Sequence, residues 1–452
     1  MVSLSIGRNN GPTGKENLRR SGGNRARHSM GKWSHNRVAT LLIATATLAV
    51  LAVTAATQQA VAQSKSEAVP YDSIATDGEN YAGPARGSTW DETGSTVYIG
   101  LLAPMHGPEM AEGEALVAAA RMALKDSTQR PLPGGRHVEL AIGDESGPAW
   151  GHVSDVILQL VLRQNVVALI TSTDGTDTHV SEQVGNRIGV PILTLSNDAT
   201  TTQIDIPWIF RVGPSDLQQA QSIAQNIYRK RGLKQVMVIF AEDHDGRGGA
   251  AAMRQAALSM GTAMPEELAL DPLRADLSSV VRRIQAGSPQ AIVLWTRADV
   301  AQRLSPMLLA AGISIPVYFS QQAAQAGSGL TLTSTVAKRE SAANSFSTWT
   351  IAARGEETAL QNSFATRYFQ QTGRPPSAAA AEAYDAVCLT VHALRAAGPN
   401  RARMRDQLAQ TRDYSGASGT ISFDREGNNT TQVHLVALRP QPLSTERGGS
   451  AE

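Results

Sequence analysis

From Gly94 onward the chain repeats one rhythm, a short apolar run followed by a longer amphipathic stretch. Thr96-Val97-Tyr98-Ile99-Gly100-Leu101-Leu102 reads as a strand, and Glu112 to Asp126 as a helix with Ala115, Leu116, Ala119, Met122 and Ala123 at helical spacing. Strands follow at Val138–Ile142, Val166–Thr171 and Val190–Leu195, separated by helices at Val153–Gln164 and Thr178–Ile188. Strands this short and this apolar cannot leave a face to water. The arrangement that satisfies them is a parallel sheet covered by helices on both sides.

The rhythm breaks at Phe210-Arg211-Val212-Gly213-Pro214-Ser215-Asp216 and then restarts. Helices are expected at Leu217–Arg231, Gly248–Met260, Leu277–Ala286 and Val300–Ala311, and strands at Gln235–Phe240, Ala291–Trp295 and Pro316–Phe319. Glu357 to Ala397 is helix-rich. Thr420–Phe423 and Gln432–Leu438 read as two strands joined by the Asp424-Arg425-Glu426-Gly427-Asn428 turn. The length of 452 residues suits two α/β units of similar size with a cleft between them. In open α/β sheets, ligands bind beyond the carboxyl ends of the strands.

Ahead of this rhythm, Val38 to Ala56, VATLLIATATLAVLAVTAA, carries no charge, follows Lys32 and Arg37, and precedes the A-x-A site Ala60-Val61-Ala62-Gln63. This is the pattern of a secretory signal peptide, over residues 1–62, with a polar leader long enough to make Met30 a candidate start. The run is also just long enough for an uncleaved membrane anchor. No cysteine directly follows it that could carry a lipid. Residues 63–94, rich in Ser, Gly, Asp and Glu, read as a flexible lead-in. Lysine plus arginine (41) nearly balance aspartate plus glutamate (40), which argues against a nucleic-acid binder. The single cysteine, Cys388, excludes an internal disulfide, and its apolar neighbours make it a core residue.

The most polar stretch beside a core strand is ITSTDGTDTH, Ile170 to His179. Thr173 and Thr176 either cap the helix that follows or hold a ligand against its free N–H groups. Ser196 and Thr200 after the next strand carry the same two readings, and Asp245 beside Gly246 suits a turn or a ligand contact. Arg297 reads as a helix-start residue or a ligand contact, Trp295 as core or pocket wall. Asp243-His244-Asp245 does not read as a metal site, because three consecutive residues cannot all face one ion. His106 and His179 read as isolated. Gly246-Arg247-Gly248-Gly249 lacks nucleotide-binding spacing, and no G-x-S-x-G, H-E-x-x-H or C-x-x-C occurs. Neither cofactor nor metal is expected.

Five stretches in order carry a resemblance. Ile99-Gly100-Leu101-Leu102-Ala103-Pro104-Met105-His106-Gly107-Pro108, Gly189-Val190-Pro191-Ile192-Leu193-Thr194-Leu195-Ser196 with Ala199-Thr200, Phe210-Arg211 with Pro214-Ser215-Asp216, Ala383-Tyr384-Asp385-Ala386-Val387, and Gly419-Thr420-Ile421-Ser422-Phe423-Asp424 with Gly427 are similar to the type I periplasmic binding proteins. The group in question is typified by the leucine/isoleucine/valine-binding protein of ABC importers. The resemblance spans about Ser95 to Arg439. It implies two doubly wound parallel-sheet lobes joined by a three-segment hinge. Lobe 1 would comprise residues 95–213 and about 344–418, lobe 2 residues 214–343 and about 419–440, with 441–452 a tail. The hinge segments would lie near Val212 to Pro214, before Trp349 and near Gly416 to Gly419.

In that family a hydroxyl-rich loop and backbone amides hold an amino acid's carboxylate, while a carboxylate and aromatics hold its amine. Ser172, Thr173 and Thr176 stand in the hydroxyl loop, and Ser196, Ala199 and Thr200 in the second carboxylate-binding segment. Asp245 replaces a tyrosine, Trp295 and Arg297 stand where an aromatic wall is common, and Gln322 stands near the amine-binding glutamate. These departures put amino-acid specificity in doubt. The resemblance implies a monomeric, exported solute-binding protein, not an enzyme, that takes a small polar, amino-acid-like ligand and delivers it to an ABC permease. A membrane-anchored sensor and a secreted α/β hydrolase are the alternatives.

Overall fold

The computed structural model describes residues 95–203, 207–271, 273–325, 330–332, 349–354 and 359–440. The expected signal segment, the lead-in and the tail lie outside the described residues. The first sheet holds β1 (Thr96–Ala103), β2 (His137–Asp144), β3 (Ala168–Thr171), β4 (Ile192–Thr194) and β5 (Ile209–Arg211) in the order β2-β1-β3-β4-β5, all parallel. The interior strand β3 is buried at every position, as its unbroken apolar sequence requires. Three helices connect these strands: α1 (Met110–Ser127), α2 (Ser154–Leu158, extended by wide turns on either side) and α3 (Gly175–Ile188).

The second sheet begins after α4 (Asp216–Ala224) and alternates strands with helices: β6 (Val236–Ala241), α5 (His244–Ser259), β7 (Glu266–Leu270), α6 (Leu277–Gly287), β8 (Ala291–Trp295), α7 (Ala298–Ala310) and β9 (Val317–Phe319). Short β10 (Leu330–Leu332) and β11 (Trp349–Arg354) follow. Three further helices, α8 (Ala359–Thr372), α9 (Ala378–Ala397) and α10 (Arg401–Ala409), precede β12 (Tyr414–Ser415), β13 (Thr420–Ile421) and β14 (Val433–Pro440). The second sheet runs β10-β14-β11-β9-β8-β6-β7, parallel except for β14, which pairs antiparallel with β10 and β11.

Each sheet buries both faces. In lobe 1, Ile99, Leu101, Ile170 and Phe210 pack against Leu116 and Ala123 of α1 and Val387 and Leu394 of α9, while Leu102, Leu169 and Ile192 pack against Ile157, Leu160 and Val180 on the other side. In lobe 2, Ile239, Leu294 and Phe319 face Ile284 and Leu304, and Val238, Val293 and Trp295 face Ile223, Met253 and Ala256. The two doubly wound lobes are therefore present.

The boundaries within the chain differ from those read in the sequence. β11 is hydrogen-bonded to β9 and β14 in the second sheet, so the second passage between lobes falls after Arg354, not before Trp349. Ile421 and Phe423 lie in the lobe 1 core, so the third passage falls after Phe423, not near Gly416 to Gly419. The expected closing hairpin is reduced to a single bridge, Phe423 to Asn429; β13 pairs with β12, and β14 serves the other lobe. Two helices also start earlier than the apolar period indicates, α3 at Gly175 and α5 at His244, because Asp174 and Asp243 cap polar first turns that carry no hydrophobic signal.

Candidate functional site

The carboxyl ends of β3, β4, β6 and β8 bring loops from both lobes together. The stretch after β3 is largely self-satisfied. Thr171, Thr178 and Thr194 form a buried hydroxyl triad with contacts of 2.9, 3.0 and 3.2 Å. Ser172 accepts from the Asp174 amide at 3.2 Å, and the Asp174 carboxylate accepts from the Asp177 amide at 2.8 Å. The Thr173 hydroxyl donates to buried Glu112 of α1. Thr176 is exposed in the first turn of α3. The N–H of Gly175 points across the cleft and donates to Asp245 of lobe 2 at 3.2 Å. A Cβ at position 175 would lie 2.3 Å from Asp245 Oδ1 and 3.0 Å from Asp198 Cβ, so only glycine permits this approach.

The segment after β4 is equally ordered. Ser196 accepts from the Asp198 amide at 3.1 Å. Asp198 caps the short turn Ala199–Thr202, its Oδ1 accepting from the Thr200 amide at 2.9 Å and hydroxyl at 2.8 Å. Ala199 opens that turn, and buried Arg211 pins its far end by donating to Thr201 and Thr202 at 2.7 and 2.8 Å. The other oxygen, Oδ2, faces two imidazoles: His179 Nε2 of α3 at 2.9 Å and His244 Nε2 of α5 at 2.7 Å. His179 Nδ1 lies 2.9 Å from Glu182 Oε2, and its Nε2 is also 2.9 Å from the Thr200 hydroxyl. The Asp198 and Glu182 hydrogen bonds push the His179 imidazole up to about 10. Burial would raise the Asp198 carboxyl, but the bonds from His179, His244 and Thr200 outweigh it and hold Asp198 well below the usual carboxylate range.

His179 is therefore not isolated, as its sequence context suggests. Nor does His244 act with its chain neighbours. Asp243 turns back to cap α5, accepting from the Gly246 amide at 2.8 Å, Asp245 reaches Gly175, and His244 joins two residues of the other lobe. The ligand atoms of His179, Asp198 and His244 all lie within 4.8 Å of one another, a spacing that can hold a metal ion.

Lobe 2 contributes further links. Gln322 donates to Asp245 Oδ2 at 3.3 Å. Asp245 Oδ1 is buried without a hydrogen-bond partner. Arg297 Nε stands 3.1 Å from Glu109 Oε1 of lobe 1 and 3.2 Å from Asp299 Oδ1. Asn197 donates to Gln321, whose own amide donates to Glu382 of α9 at 2.7 Å. Trp295 is packed inside lobe 2, against Gly249, where a Cβ would lie 2.1 Å from the indole nitrogen, and it bonds to Asp216. Of the residues singled out from sequence, Asp245, Gln322 and Arg297 thus take part in the lobe-to-lobe network. Ser172, Thr173, Ser196 and Thr200 are tied up within lobe 1.

Carboxyls dominate the junction. Burial pushes Glu112 up to about 8 against the lowering pull of the Thr173 hydroxyl. Burial, then the neighbouring Asp174 and Glu109, push Asp177 up to about 7. Glu109, Glu145 and Asp174 are raised by burial too, and Asp245 is raised well above the carboxylate range by burial and by Asp174 and Asp216. The arrangement resists further negative charge and favours a cation or bound protons. Glu109, Glu112, Asp174, Asp177 and Asp198 were not singled out from sequence, and His244 was weighed only with its chain neighbours, because the meeting of these separate segments is created by packing between elements.

A family model described as periplasmic binding protein matches residues 96–438. No curated protein sequence matches significantly. Among solved structures, the chain is similar to the leucine-binding protein LivK from Thermotoga maritima, with 19% identity, 75% of this chain and 94% of that one covered, and a TM-score of 0.64. It is similar to the branched-chain amino acid transporter substrate-binding protein LivJ from Streptococcus pneumoniae in complex with isoleucine, with 19% identity, 75% and 95% coverage and a TM-score of 0.63. A solute-binding protein of an ABC transporter from Rhodopseudomonas palustris BisB5, in complex with 3,4-dihydroxybenzoic acid, gives 16% identity, 76% and 96% coverage and a TM-score of 0.65. Likeness at these identities carries the fold and leaves the ligand open.

Proposed function

Because the chain belongs to the periplasmic binding protein family, we propose that it captures a small polar, amine-bearing solute between its lobes and presents it to an ABC permease. The observation that carries this reading is the meeting of acidic groups from both lobes: Asp174, Asp177, Glu109 and Glu112 from one side and Asp245 from the other. An ammonium group there would replace the Gly175 N–H as the donor to Asp245 and donate charge-assisted hydrogen bonds to the carboxylates. Arg297, now paired with Glu109, would take the carboxylate of an amino-acid-like ligand, and Thr176 would contribute its exposed hydroxyl. The solute favours the closed arrangement because only there can both lobes touch it. Export would proceed through the segment Val38 to Ala56, and N-terminal sequencing of the exported form should begin at or near Gln63. Among the described residues no helix is long and apolar enough to cross a membrane.

The test is a thermal-shift and calorimetric screen with amino acids, diamines, amides and aromatic acids. An ammonium-bearing compound at about 100 times its dissociation constant should stabilise the protein by roughly 2.7 kcal/mol, contract its scattering profile and undergo no turnover. Binding confined to aromatic acids without an amine would overturn the charge assignment. Turnover of an ester or amide would favour the hydrolase.

A further inference from the structure

We propose that His179 and Asp198 of lobe 1 and His244 of lobe 2 bind one divalent transition-metal ion with the preferences of zinc, and that the ion bolts the lobes together independently of the solute. Two imidazole nitrogens and one carboxylate oxygen are the donor set of zinc, cobalt and nickel sites. Calcium and magnesium prefer all-oxygen shells and are not expected here.

The geometry suits such an ion. Asp198 Oδ2 lies 2.9 Å from His179 Nε2 and 2.7 Å from His244 Nε2. A tetrahedral ion with bonds of about 2.0 Å spaces its ligand atoms by about 3.3 Å, so insertion requires these contacts to open by only about half an ångström. Both rings aim the same nitrogen at one oxygen, and each ligand is held from behind. His179 Nδ1 stands 2.9 Å from Glu182 Oε2, so that carboxylate keeps the Nδ1 proton while the metal displaces the proton on Nε2, the carboxylate–histidine–metal relay of many sites. Asp198 Oδ1 is occupied by the Thr200 amide and hydroxyl, which leaves Oδ2 for the ion. His244 is fixed in the capped first turn of α5. The Thr200 hydroxyl, 2.9 Å from His179 Nε2, flanks the site. The His244 side chain is 44% exposed and that of His179 27%, so solvent can deliver the ion and supply the remaining ligand.

Since the ligands come from both lobes, the ion binds the closed arrangement more tightly than an open one and shifts the population toward closure. Without it, the same three side chains hold the lobes through hydrogen bonds alone.

Tag-free protein, stripped by chelator, should be titrated with Zn²⁺ by calorimetry and with Co²⁺ by visible spectroscopy, with no solute added. The expected result is one saturable equivalent, Co²⁺ absorption typical of low coordination, and contraction by small-angle scattering. His244→Ala, His179→Ala and Asp198→Asn should each weaken binding more than tenfold. Glu182→Gln should weaken it about tenfold. Exposed His244 makes His244→Ala the variant of choice for retaining the fold, which circular dichroism of the metal-free form checks. No saturable binding by folded wild-type protein, or equal binding by the His179→Ala/His244→Ala double variant, would overturn the site. Binding without contraction would overturn the bridging role.

Discussion

Replacing Glu112 by Gln should make the protein more stable in alkaline solution. The side chain is buried beneath the loop that follows β3, where it accepts the Thr173 hydroxyl. Glutamine keeps the shape and the acceptor and removes only the charge. In the folded protein burial lifts the carboxyl from 4.5 to about 8. Between those values the native state retains a proton that the unfolded chain has released, so stability falls as pH rises across that window and the full penalty stands above pH 8. A gap of that size corresponds to roughly 5 kcal/mol at complete ionisation. This is an upper limit, because Glu109 and Asp174 also raise the Glu112 carboxyl and relax as it is neutralised. Urea denaturation at pH 5, 7 and 9 should show the Glu112→Gln protein gaining on the wild type by about 2–5 kcal/mol over that range. Glu114→Gln, on the exposed side of the same helix, should run parallel to the wild type. If the Glu112→Gln and wild-type curves also ran parallel from pH 5 to 9, the assignment of a buried, protonated Glu112 would be refuted. The same linkage reaches the solute. A cation settling near Glu112 and Asp177 favours their charged forms, so its binding near pH 7 should release protons and give calorimetric enthalpies that depend on the buffer.

Gly175→Ala should drive Asp245 from its place, disfavour the closed arrangement and diminish the contraction that solute produces in scattering while far-ultraviolet circular dichroism stays unchanged; an undiminished contraction would remove this contact as a link between lobes. Thr173→Val leaves Glu112 without its donor and should cost about 1–3 kcal/mol of stability at pH 9, measured by denaturation. Thr176→Val, at an exposed position, should leave stability within about 0.5 kcal/mol but weaken solute affinity about tenfold; intact affinity would remove Thr176 from the ligand shell. Arg297→Ala should weaken binding of an amino acid far more than binding of a diamine, and equal losses for both would contradict a carboxylate at Arg297.

The two-lobed architecture was legible because buried parallel strands must be short, continuous and apolar, and β1, β3, β6 and β8 all are. β7, Glu-Glu-Leu-Ala-Leu, escaped notice: it pairs only with β6, so most of its residues face solvent and its sequence lacks that signature. The partnership of β13 and β14 was misread because alternation identifies a strand without naming its neighbour. The polar first turns of α3 and α5 hid the helix starts, and with them the groups that meet across the cleft. Asp198 lies 19 residues from His179 and 46 from His244, on a different element from each. Nothing local could connect them. Glu112 stands one turn before Ala115 and Leu116 on the apolar face of α1, so its burial was legible, but its cover by the loop carrying Thr173 was not.

The placement of β14 bears on how such a chain is made. Val433–Pro440 comes late in the sequence, yet it lies inside the second sheet, between β10 and β11. A growing polypeptide that has not yet reached Val433 therefore carries an unpaired edge along β11, and lobe 1 likewise waits for α9 to cover its sheet. Neither half can settle early into a finished body, and the long sequence separation of these pairings slows folding further. A ribosome-bound intermediate of this kind lacks the strand that joins β10 to β11 until synthesis is nearly complete. It also leaves the β11 edge open to misassociation in any truncated product that ends short of Val433.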